Sequence, residues 1–315
     1  MRILVNGGAG YIGSACVKSL IEKGFEVIVI DNLSKGIREL IDKKAKFYEG
    51  DLVDEAFVNK VFSENEIDAV IHFASYKAAG ESMETPEKYS DNITGLISVL
   101  NSMAKYNVKK IIFSSSAAVY GEPEAVPVDE NHRTEPINYY GFTKLIGEEI
   151  IDWYSDLKGM VGVCLRYFNV AGDAGLKYLD PDAQNVFPIL LEVYTGKRDK
   201  FIIFGKDYGT KDGSCVRDYV DINDLVRAHI LALDLSKSEK INLGTSNGVS
   251  VLELFNIFEE VSNSKFKLEF GERRGGDPAV LTASSEKAQK VLGWKPEKDI
   301  RDMISSTLEI CSKEE

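Results

Sequence analysis

The sequence predicts an α/β protein: a doubly wound parallel sheet with a smaller α/β domain interleaved with it. Three observations lead there. Short apolar runs alternate with segments of helical period through the first half of the chain, a glycine string marks the first run-to-helix junction, and the alternation breaks near residue 170.

The apolar runs are RILVN (2–6), EVIVID (26–31), AKFYEG (45–50), AVIHFA (69–74), KIIFSSS (110–116) and VGVCLRYFN (161–169). Such short, largely apolar stretches suit strands covered by helices on both faces, as parallel strands are. The segments between them, about 11–23, 54–64, 86–106 and 140–157, carry the 3.6-residue period of helices lying on a sheet. After residue 170 the turn-rich NVAGDAGLKYLDPDAQN interrupts the pattern. Shorter elements follow, FIIFG (201–205) and VRDYV (216–220), and then a helical run at 221–235 that again looks built to pack on a sheet. The expected division is therefore 1–171, with 216–236 packing back on it, and a smaller domain over 172–315.

Composition narrows the function classes. The 315 residues are 44% hydrophobic and 28% charged, which suits one large or two modest globular domains. No apolar run approaches the roughly 18 residues of a membrane helix, and the N-terminus passes straight into glycine-rich sequence instead of a signal-peptide core, so a cytoplasmic protein away from membranes is expected. Cys16, Cys164, Cys215 and Cys311 are scattered without CxxC spacing and only three histidines accompany them, which assembles no zinc site and predicts reduced thiols. A net charge of −12 excludes a nucleic-acid backbone as partner. A small anion can still bind where a few cations gather locally.

RILVN runs directly into GGAGYIG and then a helix, so Gly7, Gly10 and Gly13 fall at the first strand-to-helix turn. Glycines there let backbone approach a pyrophosphate, and the helix N-terminus presents N–H groups and a positive dipole end, the dinucleotide-binding (Rossmann) arrangement. Asp31, closing the second run, is placed to accept the adenosine ribose hydroxyls and to repel a 2′-phosphate, which favours NAD over NADP. Lys35 nearby is expected to face water. In NYYGFTK (138–144), Tyr140 and Lys144 stand one helical turn apart. A surface pair is the plain reading. Beside a nicotinamide the spacing has a purpose: a phenol titrating near 10 becomes a base at neutral pH when an ammonium and the positive ring both favour phenolate.

With GGAGYIG, the YxxxK string at 140–144 and the serine-rich strand end at 114–116 in place, the chain resembles the extended short-chain dehydrogenase/reductase family. Within it, the segments HFASYKAAGES (72–82), FSSSAAVYG (113–121), YYGFTK (139–144), LRYFNVAG (165–172), IFGKDYGTKDGSCVRDYV (203–220) and RRGGDPA (273–279) are similar, in order, to those of the UDP-galactose 4-epimerases. Asn6 departs from that pattern, where Thr is usual, and so does Tyr139, where Pro is common. The resemblance implies interconversion of UDP-glucose and UDP-galactose through transient, NAD-dependent oxidation at C4. It assigns Tyr140 as the base on the sugar O4, Lys144 to the nicotinamide ribose and the phenol, and Ser116 to O4, a capping serine being the alternative for Ser116. It gives the cofactor Gly7, Gly10, Tyr11, Ile12, Gly13, Asp31, Asn32, Asp51, Leu52, Phe73, Ala74, Lys77, Asn92, Ser114, Tyr140, Lys144 and Tyr167. It gives the UDP-sugar Ser116, Asn169, Asn185, Phe204, Arg217, Arg274, Asp277 and Val280, with the two arginines as pyrophosphate clamps.

Related dehydratases place an acid and a base, and decarboxylases a Glu, where this chain has Ala117 and Ala118; neither alanine can move a proton, which leaves epimerisation. An epimerase of UDP-N-acetylhexosamine, for which Val280 leaves room, or of a UDP-uronic acid stays open on sequence grounds. A non-catalytic NAD-sensing protein is the reading from another class. Finally, the helix from Tyr140 shows two apolar stripes, Ile146, Ile150, Trp153 and Leu157 beside Gly147, Ile151 and Tyr154, with Glu148, Glu149, Asp152 and Asp156 expected on a solvated face. The second stripe predicts a homodimer.

Overall fold

The computed structural model describes residues 1–178, 184–274 and 278–311. Seven strands form the central sheet: β1 (Arg2–Asn6), β2 (Glu26–Asp31), β3 (Lys46–Glu49), β4 (Ala69–His72), β5 (Lys110–Ser116), β6 (Val161–Tyr167) and, from much later in the chain, β10 (Glu239–Leu243). Their spatial order is β10-β6-β5-β4-β1-β2-β3, so the chain winds outward in both directions from β1 and β4. The pairs β3–β2, β2–β1, β1–β4 and β4–β5 are parallel. The crossovers after β1, β3, β4 and β5 are helical, α1 (Tyr11–Glu22), α2 (Glu55–Glu64), a short α3 (Ala79–Glu84) leading into α4 (Pro86–Lys105), and α5 (Tyr139–Lys158), while β2 joins β3 through a loop with one short 3-10 turn at Arg38–Leu40. The apolar runs are strands because both sheet faces are covered: Leu4, Ile28, Ile30, Val70 and Ile111 pack with Val58, Val61, Phe62, Leu96, Val99, Leu100 and Met103 of α2 and α4 in one core.

The chain forms two compact units. The first comprises residues 1–121, 134–166 and 226–241, and the second 122–133, 167–225 and 242–315. The expected division at 171 thus falls at 166, and of the segment 216–236 only the part from 226 groups with the first unit. The change happens inside α7 (Ile222–Ala232). The second unit holds β7 (Asn169–Ala171), β8 (Phe201–Phe204), β9 (Val216–Asp221), β11 (Gly248–Ser250), β12 (Leu268–Gly271) and β13 (Val280–Leu281), with α6 (Val186–Tyr194), α8 (Val251–Val261), α9 (Glu286–Leu292) and α10 (Ile300–Glu309). Phe187, Leu190, Phe201, Tyr219, Leu254, Phe255, Phe258, Met303 and Ile304 make its own core. Among the described residues no helix is long and apolar enough to cross a membrane.

Candidate functional site

The site of the first unit is built around the loop after β1. Gly7 takes φ of 77°, and a Cβ there would sit 2.6 Å from the Ala74 backbone nitrogen. A Cβ on Gly13 would sit 2.0 Å from the Gly7 carbonyl oxygen. Both positions therefore exclude a side chain, and the loop closes tightly over the start of α1. Gly10 caps α1 with no side-chain bond, and the first turn contains no acid, so no carboxylate competes for the positive end of the helix. Tyr11 and Ile12 are half-buried in that turn.

Asp31 closes β2 at 9% exposure. Its Oδ2 accepts the Ala9 N–H and its Oδ1 the Leu33 N–H, both at 2.9 Å. Burial pushes the carboxyl up and the two N–H groups oppose it. Each oxygen retains acceptor capacity for a hydroxyl. Gly36 guards this edge, since a Cβ there would lie 2.7 Å from Asp31 Oδ1. A cleft at the strand ends is lined by Gly7, Gly10, Asp31, Asn32, Asp51, Leu52, Phe73, Ala74 and Asn92, which brings together the expected cofactor residues of β1, β2 and the loops after β3 and β4. Asn32 Nδ2 donates to Asp51 Oδ2 at 2.8 Å. Lys77 is exposed outside this lining.

Asn92 does more than line the cleft. Its amide accepts the Tyr76 N–H at 2.9 Å, donates to the Tyr76 carbonyl at 3.1 Å and donates to Thr143 Oγ1 at 3.2 Å. It therefore clamps the loop after β4 and the start of α5 onto α4. Residues the sequence did not single out also line the cleft, among them Ser34, His72, Tyr76 and Asp91, and so does Lys35, which is exposed as expected. Burial, followed by the charge of Asp51, pushes the Asp91 carboxyl up. His72 is held down to about 3 by burial and then by the charge of Lys144, so the imidazole is neutral.

The residues expected to react converge where β5 ends. Ser116 Oγ caps the turn 117–120 by accepting the Ala118 N–H at 3.2 Å, and it also hydrogen-bonds the Tyr140 hydroxyl. The capping alternative thus holds, and the same hydroxyl also meets Tyr140. Asn138 caps α5 by accepting the Gly141 N–H at 2.8 Å, and Ser82 accepts the Tyr140 N–H at 3.1 Å. Gly141 is indispensable here: a Cβ would lie 2.5 Å from the Ala118 carbonyl oxygen, so only glycine lets α5 approach the 117–120 turn and bring Tyr140 to Ser116. Lys144 is 3% exposed, which rules out a surface pair. It donates to the Ser114 carbonyl at 2.8 Å, lies 5.8 Å from the Tyr140 ring centroid, and burial lowers it to about 7. Burial likewise pushes the Tyr140 phenol up, opposed by the bond with Ser116. The expected lowering of the phenol is therefore not delivered by the protein's own groups, because the desolvation of the phenol outweighs them.

One expectation for α5 is overturned outright. Glu148 is not on a solvated face but fully buried, ion-paired with Arg166 of β6. Its neighbours fit the expectation better: Glu149 and Asp156 are exposed, and Asp152 is half-buried against Lys240.

In the second unit, Asn169, Arg217 and Val280 lie on β7, β9 and β13, which pair in one sheet with Leu281 opposite Arg217 and Asn169 opposite Tyr219. Arg217 Nη1 donates to the Val216 and Pro278 carbonyls. Arg274 is exposed with its guanidinium 4.0 Å above the Phe204 ring. Asn185 is exposed just before α6, and Tyr167 is buried at the end of β6. Asp277 lies outside the described residues.

Residues 3–244 match the model of the NAD dependent epimerase/dehydratase family. The chain belongs to that family. The UDP-glucose 4-epimerase of Streptococcus mutans is 48% identical over 317 residues, covering 97% of this chain and 95% of the relative, and that of Lacticaseibacillus casei is 46% identical over 315 residues, covering 98% and 95%. The crystal structure of UDP-glucose 4-epimerase from Bifidobacterium longum in complex with NAD+ and UDP superposes with a TM-score of 0.93 at 40% identity over 98% of both chains. Family members divide between epimerisation and dehydration, and the residues after Ser116 bear on that choice. Ala117 is buried and Ala118 half-buried, and neither carries a proton.

Proposed function

We propose that the chain interconverts UDP-glucose and UDP-galactose by inverting C4 of the hexose. The observation that carries this is the Tyr140–Ser116 hydroxyl pair, set beside a buried Lys144 and followed by two alanines. The first unit fits NAD: a cradle at Gly7 and Gly13 that any Cβ would fill, and Asp31 held with acceptor capacity toward the cleft. NAD, once bound, supplies the hydride acceptor for C4, the return of the same hydride to the other face, and a positive ring charge. Tyr140 takes the O4 proton and later gives it back, Ser116 orients O4 and passes that proton, and Lys144 holds the nicotinamide ribose with its ammonium directed at the phenol. Arg217 and Arg274 meet the substrate's phosphates, while Asn169, Asn185, Phe204 and Val280 surround the rest of the UDP-sugar. Local cations outweigh the net charge of −12 because screening acts beyond about 8 Å at physiological salt.

The same reading makes the enzyme cytoplasmic and a homodimer. Four free cysteines, three of them buried, suit a reducing compartment. Purified protein given UDP-galactose without added cofactor is expected to yield UDP-glucose, and Tyr140→Phe to fold, bind UDP and lose most turnover. Near-normal turnover by that variant would refute the assignment.

A further inference from the structure

Glu148 and Arg166 form a pair with side chains 0% and 3% exposed. Desolvating both charges offsets their attraction, and apolar residues of similar volume would serve the core as well or better. What distinguishes the pair is where it is fastened. Along one stripe of α5, Tyr140, Lys144 and Glu148 recur every four residues, and each reaches the end of β5. Tyr140 bonds the Ser116 hydroxyl, Lys144 the Ser114 carbonyl, and Glu148 Oε1 accepts the Ser115 hydroxyl at 2.5 Å. Contacts to three consecutive strand residues fix both the rotation and the axial setting of the helix. Arg166 then donates to Glu148 from Nε at 2.8 Å and Nη2 at 2.6 Å, and from Nη1 to the Tyr120 hydroxyl at 2.9 Å. Tyr120 closes the turn that Ser116 opens. One end of the pair thus grips the helix that carries the phenol, and the other grips the turn that carries its hydroxyl partner.

We infer that Glu148 and Arg166 are positioning residues that hold Tyr140 and Ser116 in register for proton transfer at the sugar O4. The inference rests on the roles given above to Tyr140, Lys144 and Ser116. The pair touches no reacting atom; it acts by preventing α5 from sliding on β5, a displacement whose cost in turnover is on the order of 10²-fold for about 1 Å. The test is Glu148→Met with Arg166→Met in one chain, beside Ser115→Ala and Tyr140→Phe, all with their bound cofactor. The double variant is expected to stay folded and to keep its NAD and its KM for UDP-galactose, while kcat falls roughly 10²-fold. Ser115→Ala is expected to lose about tenfold in kcat with KM unchanged. Wild-type kcat in a folded double variant would overturn the inference, as would a fall in kcat accompanied by lost NAD or raised KM. Should the double variant fail to fold, Ser115→Ala decides alone, and unchanged kcat there overturns the inference. An active Tyr140→Phe would instead remove the catalytic assignment itself, so the two failures are distinguishable.

Discussion

At the scale of single residues, the site depends on groups whose ordinary chemistry burial has altered. His72 is the clearest. Held down to about 3, its imidazole stays neutral in the fold while an unfolded chain would protonate near 6.5. Since the folded state binds fewer protons in that window, His72 contributes stability that is fully present above about pH 6.5 and lost as pH falls toward about 3. An NMR titration should show the His72 ring signals flat between about pH 8 and 5, and a midpoint near 6.5 would contradict the buried setting. Gly141 is the complementary case, a residue whose value is its missing Cβ. Gly141→Ala drives a methyl into the Ala118 carbonyl, so it should cost about 1–3 kcal/mol of stability and lower kcat, as measured by denaturant melts and turnover. The sequence announced Tyr140 and Lys144 through their spacing but not Gly141, because a glycine inside a helix declares no partner.

At the scale of elements, the first six strands of the central sheet were legible almost residue by residue, whereas β10, which returns to the sheet from Glu239–Leu243, was not foreseen. RILVN, EVIVID and KIIFSSS are β1, β2 and β5 with the expected limits, because strands covered on both faces leave little room for polar residues. The second unit was read more coarsely. β11 and β13 are three and two residues long, too short for any periodicity, and α3 and the terminal helices were not foreseen. Glu148 was misplaced because helical period alone cannot see a partner on another strand. Its signal was Arg166, a guanidinium inside the apolar run VGVCLRYFN, which a buried strand tolerates only opposite a carboxylate. The two stripes of α5 now separate. Gly147 and Ile151 are buried and Tyr154 packs on the core, as does Ile150 of the other stripe, whose Trp153 and Leu157 are 65% and 70% exposed. If that outer stripe is the homodimer contact, Trp153→Glu with Leu157→Glu should shift the protein from dimer to monomer in sedimentation at micromolar concentration; a wild type that is already monomeric ends the proposal.

At the scale of the whole molecule, the family was legible because its motifs are spread along the chain in order, and family membership bears that out. The interleaving of the two units was legible in the sheet-packing helical run after residue 220, but the crossings at 121, 133 and 241 were not, since no compositional break marks them. Because a C4 epimerase consumes no net redox equivalents, the cofactor has no reason to leave between turnovers. Denatured protein should therefore release NAD in near-stoichiometric amount, and recovery of NADP would contradict the role given to Asp31. The central claim is that C4 is inverted by moving one hydride off the carbon and back. It is tested by incubating the enzyme with UDP-galactose carrying deuterium at C4 in ordinary water. The account predicts UDP-glucose that keeps the deuterium at C4, and UDP-glucose that has exchanged it for solvent hydrogen would contradict it.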